Sequence, residues 1–281
     1  MQVGKTFTPD DMKAFEQEAK CALLATINPE GLPHVTLISS LRARRPDQLI
    51  WGQFTEGLSK KHVRINPKTG FLVLTLDRRL WRGKAVWTHA LGEGEEYEMY
   101  NKTPMFRYNA YFGIHTVHYM DLVETYGREG LPMSRVVAAV LLTRLAAAAA
   151  GRGSEVQVLR PWAVGLVNRL NALRFMAYVD GDGFPRIFPM LQGLAADSGR
   201  IAFSPLAFDQ ELKTLESGQA VALFAMSLNM EDVLARGTFQ GYRRCRGVRL
   251  GLVDLDWVYN SMPPNPGQIY PAVPLLAVER F

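Results

Sequence analysis

Residues 54–67 read FTEGLSKKHVRINP and begin at the last residue of the aliphatic run LIWGQF, 49–54. The types in this stretch could hold an anion. Thr55 stands four positions before Ser59, Lys60 and Lys61 follow at once, and Asn66-Pro67 closes the segment. Hydroxyls and two ammonium groups at the first turn of a helix, where free N–H groups point outward, meet both the charge and the hydrogen-bonding demand of a phosphate. The same residues also fit a solvated turn leading into a short helix. Choosing between the two readings takes the rest of the chain.

Other clusters carry weaker chemistry. Residues 96–120 are rich in aromatic and polar types, and Arg107, with Tyr108 and Tyr111 beside it, could meet an anionic substrate group. His115 and His118 stand three apart, a spacing that shares a metal on a helix but puts the two on opposite faces of a strand. No metal site is expected. His34 and His89 fall in expected strands and read as barrel residues, while His62 sits beside Lys61 on the expected helix. Nothing here matches a Ser-His-Asp triad or a Walker loop.

The elements around these residues occur twice. Aligning the segment from Thr8 with the one from Arg160 matches Pro9 with Pro161, Ala25 with Ala177, Gly31 with Gly183 and Pro33 with Pro185. All four pairs share one offset: 161−9, 177−25, 183−31 and 185−33 each give 152. In both copies a proline opens a helix, a short apolar run follows, and a glycine turn leads to a second strand. LIWGQF then overlies RIAFSPL, GFLVLTL overlies AVALFAM, and Asp121-Leu122 with Tyr126 resembles Asp254-Leu255 with Tyr259 at an offset of 133 (254−121). The first copy therefore carries extra residues around 96–120. Short strands with turn signals and few helices between them predict a small barrel in each copy.

ALLATINPEGLPHVTLIS, FTEGLSKKHVRINPKTGFLVLTL and WRGKAVWTHALG together resemble the flavin-binding split barrel of the pyridoxamine 5'-phosphate oxidase-like superfamily. The resemblance covers about residues 20–92 and, without the phosphate motif, about 172–241. It implies FMN as cofactor, with Thr36, Leu37, Ile38 and Ser39 lining the isoalloxazine and Phe54 and Thr55 ending a contacting strand. Ser59, Lys60 and Lys61 would grip the phosphate, and a later strand would contribute Trp81 or Arg82. Thr36 replaces an arginine frequent in the family, and the arginine-rich C-terminal segment of the true oxidases is not apparent. The resemblance therefore implies a flavin fold more than vitamin B6 chemistry. At the 152 offset Ser59 becomes Glu211 and Lys60 becomes Leu212, so the second phosphate site should be dead.

The expected architecture is mostly β (α+β): two fused split β-barrels forming an intrachain pseudo-dimer, with flanking helices. Residues 1–133 would form the first barrel, 134–158 a helical linker built on VVAAVLLTRLAAAAAG, and 159–281 a degenerate second barrel with a C-terminal loop. The expected function is FMN-mediated hydride or electron transfer on a small molecule, with NAD(P)H as a candidate donor. The alternatives are a flavin- or ligand-binding protein without turnover, or the same fold using F420 or haem. At 281 residues, 48% hydrophobic and 21% charged, the chain reads as an ordinary globular protein. Its net charge of +5 is spread over arginine clusters without a nucleic-acid motif, so no nucleic-acid or membrane partner is expected. Two distant cysteines and an N-terminus without an apolar run fit a cytoplasmic protein.

Overall fold

The computed structural model describes residues 3–104, 113–153, 156–229, 231–260 and 267–274. Two compact units are formed. The first holds the chain to Gly31, Val35–Leu131 and Asp180–Ile187; the second holds Leu32–His34, Pro132–Val179 and the chain from Phe188 on.

Helix α1 (Pro9–Phe15) opens the first copy. Thr8 caps it by accepting from the Asp11 N–H (3.2 Å), while the Thr8 N–H donates to the Asp11 carboxylate (2.9 Å), and Pro9 fills the first helical position at no cost in hydrogen bonds. The strands are β1 (Lys20–Ile27), β2 (Pro33–Leu37), β3 (Arg42–Arg45), β4 (Gln48–Gln53), β5 (Lys68–Thr75), β6 (Arg79–Leu91), β7 (Thr116–Thr125) and β8 (Glu129–Gly130). They make an eight-stranded sheet in the order β2-β1-β5-β6-β7-β4-β3, with β8 beside β6. Helix α2 (Leu58–Ile65) joins β4 to β5, and α3 (Glu95–Lys102) lies between β6 and β7.

The second unit includes α4 (Met133–Ala146), which runs into a tight turn at Ala147–Ala150, and its copy of the repeat opens with α5 (Pro161–Asn168). Its strands are β9 (Leu173–Val179), β10 (Pro185–Pro189), β11 (Leu194–Asp197), β12 (Arg200–Phe203), β13 (Ala220–Met226), β14 (Asp232–Cys245), β15 (Val248–Asn260) and β16 (Gly267–Tyr270), with a short α6 (Asp209–Leu212) after β12. The order is β10-β9-β13-β14-β15-β12-β11, with β16 beside β15. This is the first sheet's order over again.

Register carries the repeat to the single residue. Ala25 pairs with Gly70 and Ala177 with Ala222, and both members have moved by 152 (177−25 and 222−70). Leu49 pairs with Met120 and Ile201 with Val253, so β4 keeps 152 (201−49) while β7 has dropped to 133 (253−120). The two turn glycines also agree, with Gly31 at φ 78 and Gly183 at φ 77, a left-handed conformation that suits glycine. These two sheets are two fused split barrels from one duplication. The change of offset falls between β6 and β7, where residues 92–115 carry α3. In the second copy the corresponding strands are joined by Arg246-Gly247 alone, both left-handed.

Alternating apolar positions fill the first barrel with Leu24, Trp51, Phe71, Val73, Trp81 and Met120. Phe15 of α1 meets Trp81 edge-on at 5.4 Å and closes that end. Met133–Ala150 is a helical stretch long and apolar enough to cross a membrane, with a third of it buried. Val136, Ala139, Thr143 and Ala146 face inward, and the Thr143 hydroxyl accepts from the Ser204 N–H of the second unit (2.9 Å). Val137, Leu141 and Leu145 stay exposed, so the stretch expected as a linker is a helix packed on one face.

Candidate functional site

The site of interest lies where β4 hands over to α2. After Gln53 the chain leaves the sheet through half-buried Phe54 and Thr55, exposed Glu56 and half-buried Gly57, then enters α2 at Leu58. No side chain caps this helix, so its first N–H groups have no side-chain acceptor from the cap residue. Gly57 is fully extended there (φ 179), a conformation open to any residue. Its lack of a side chain matters for another reason: a Cβ at that position would stand 3.3 Å from the Lys60 Nζ. The Lys60 amine thus folds back toward the start of its own helix.

Ser59 is fully buried, and its hydroxyl hydrogen-bonds the hydroxyl of Thr36 from β2. Lys60 is only 8% exposed and forms no hydrogen bond or ion pair among the described residues. Burial pushes its amine below the usual lysine range, and the charge of Glu56 opposes that fall. Lys61 on the same turn is exposed. The structure therefore joins Thr36, Ser59 and Lys60 around one helix start, with Thr55 and Lys61 flanking it.

The other expected contacts lie elsewhere. Ile38 belongs to the barrel core, while Leu37 and Ser39 are half-buried beside it. Phe54 packs with Ile50, Tyr100, Ile114 and Val117. Trp81 is fully buried and donates to the Asp11 carboxylate (2.7 Å). It sits at the far end of β5 and β6 from α2, since Lys68 pairs with Val86 at the near end and Leu74 with Leu80 at the other. A cleft of about 660 Å³ opens at that far end, lined by Trp81, Asp11, Arg79, Tyr126 and Arg128. Arg82 gives its guanidinium to Glu129 through two hydrogen bonds of 2.8 Å. Arg107, Tyr108 and Tyr111 lie outside the described residues.

Beside the cradle runs a polar chain that the motif did not announce. The Trp87 indole N–H donates to His118 Nδ1 (3.1 Å), which leaves the proton on Nε2, and that nitrogen donates to Gln53 Oε1 (2.8 Å). The Gln53 amide then donates to Glu56 Oε1 (2.9 Å). His118 is flat against Trp51, with ring centroids 3.8 Å apart. Burial, then Lys60 and Arg64, push its imidazole down to about 3, so it stays neutral. His115 is exposed and bonded to Thr116, so the two histidines do not converge.

The second copy separates structural contacts from the rest. In the first copy Thr26 of β1 bonds His62 of α2 (3.2 Å); at the same offset Tyr178 bonds Thr214 (2.7 Å). Ser40 donates to the Gly52 carbonyl (3.0 Å), and Gln192 likewise donates to that of Ser204 (3.2 Å). These ties persist with new residue types. The cradle does not: Thr36, Ser59 and Lys60 become Phe188, Glu211 and Leu212. Nor does the polar chain, in which Gln53, Glu56, Trp87 and His118 become Pro205, Phe208, Phe239 and Gly251. That substitution pattern was the signal that could have exposed Gln53 and His118 in the sequence.

No family model and no curated protein matches this chain. Solved structures do. An FMN-binding protein from Syntrophomonas wolfei is 18% identical over 43% of this chain and 84% of its own, with a TM-score of 0.36. HupZ of Group A Streptococcus is 17% identical over 43% of this chain and 93% of its own, also at 0.36. An F420 reductase is 16% identical over 40% and 93%, at 0.33. Each match spans less than half of this chain.

Proposed function

We propose that the first unit binds FMN by its phosphate at the start of α2, and that the protein is an FMN-dependent oxidoreductase acting on a small molecule. One observation carries the reading. Lys60 is a buried ammonium with no anionic partner in contact, at an uncapped helix start beside two hydroxyls, and the duplicate shows that the barrel folds without it. A phosphate there would receive charge from Lys60 and Lys61 and hydrogen bonds from Ser59, Thr36 and the helix N–H groups. Leu37 and Ser39, half-buried on the chain leaving β2, are the candidates to border the ring. When bound, FMN supplies hydride or electron transfer; the protein supplies position and field. NAD(P)H is the proposed electron donor.

The imidazole beside the cradle favours a second reading, a flavin binder without turnover. General acid–base work at neutral pH wants a group that titrates there, and His118 is held neutral. Adding FMN to the purified protein and following its absorbance under NAD(P)H tests both. Bleaching supports the enzyme, bound but inert flavin supports the binder, and failure to bind FMN removes both. A Soret band on adding haem, or preference for F420, would redirect the assignment.

A further inference from the structure

Glu56 puts a negative charge near a site read as an anion cradle, which calls for an account. Its carboxylate is exposed, yet Gln53 holds it, and Gln53 is buried and itself held by His118. His118 can serve only one orientation, because Trp87 takes its Nδ1 and Trp51 covers its face. All of this polar investment surrounds one segment and vanishes with Ser59 and Lys60 in the second copy, where apolar residues, proline and glycine take its place. The fold therefore does not require it. The ligand cradle and the polar chain come and go together.

We propose that His118 and Gln53 are a positioning pair that fixes the Glu56 carboxylate beside the start of α2 as the resting counter-charge of Lys60. This rests on reading α2 as an anion cradle. The titratable groups that face this segment are Glu56 ahead of the helix and His118, held neutral, from β7, while Lys61 and Arg64 share the helix and His62 turns away to Thr26. Glu56 is thus the acidic group acting on Lys60, and it opposes the desolvation of the amine. An arriving phosphate would take over that role with more charge, leaving Glu56 to water.

The test is titration of the Lys60 amine by NMR in the ligand-free, full-length protein carrying isotope-labelled lysine, with Lys60→Arg to assign the signal. Glu56→Gln alters an exposed side chain and should fold normally. Gln53→Met keeps length and volume but loses the amide, and His118→Phe keeps the stack on Trp51 but breaks the bond to Gln53. Each should lower the titration midpoint by about half a unit, roughly a threefold loss of proton affinity for a partly solvated pair. Glu56→Gln combined with Gln53→Met should shift it no further than Glu56→Gln alone. An unmoved midpoint in Glu56→Gln overturns the counter-charge, and an unmoved midpoint in both Gln53→Met and His118→Phe overturns the positioning. The shifts without FMN binding would keep this inference and remove the cofactor; FMN binding without the shifts would do the reverse.

Discussion

Lys60 and Ser59 occupy positions that a chain selected only for stability would fill differently. A buried amine with no direct hydrogen bond or ion pair loses solvation that the charge of an exposed carboxylate such as Glu56 offsets only in part. Lys60→Met should therefore leave the melting temperature unchanged or raised, while FMN affinity falls about 10- to 100-fold, the range of one charge-assisted contact. Equilibrium titration beside a thermal melt reads both. Gly57→Ala is a finer probe: its backbone accepts alanine, but the new methyl carbon crowds the Lys60 amine from 3.3 Å. Its expected signature is weaker FMN binding with normal folding. His118 makes a pH prediction. Its folded value is depressed to about 3 from an ordinary 6.5, so between those values the unfolded chain binds the extra proton. Stability should then fall as pH drops from 6.5 toward 3, at up to about 1.4 kcal/mol per unit from this group. His118→Phe should flatten that part of the stability profile in chemical denaturation. Among these residues, Ser59 and Lys60 were legible in the sequence because they adjoin. Gln53 and His118 were not read from it, since the pairing of β4 with β7 brings residues so far apart into contact and only their loss from the second copy hinted at them. Arg82 shows the converse: its type suggested a ligand contact, but the strand order delivers Glu129 to it first.

At the scale of the element, α2 and its counterpart α6 are one device built twice for different ends. The first is tied to the neighbouring strand by Thr26–His62, and the segment just past the end of the second by Tyr178–Thr214. Writing the second copy's residues into the first, as Ser59→Glu with Lys60→Leu, should preserve the helix and the circular dichroism spectrum and abolish FMN binding. Loss of the fold instead would mean that the cradle residues are structural. The strands and turns were readable because alternating apolar runs and glycine turns are local signals. The helix at 133–150 was readable by type and not by environment: composition cannot say that Val136 and Ala139 turn inward while Leu141 and Leu145 remain in solvent.

At the scale of the whole molecule, two sheets of identical order, matched residue by residue, make the duplication a structural fact. A single offset read from prolines and glycines had already located it, because turn residues resist replacement more than strand residues do. The inserted segment between β6 and β7 was also legible as a fall in that offset; its Arg107, Tyr108 and Tyr111 fall outside the described residues. The central claim is that one copy kept an anion cradle and the other lost it. The most direct measurement is the stoichiometry of FMN binding to the full chain, by titration with fluorescence quenching, in wild type and in Lys60→Met. The account predicts one FMN per chain, with affinity largely lost in the variant. Two per chain, or one per chain bound as tightly without Lys60, would contradict it.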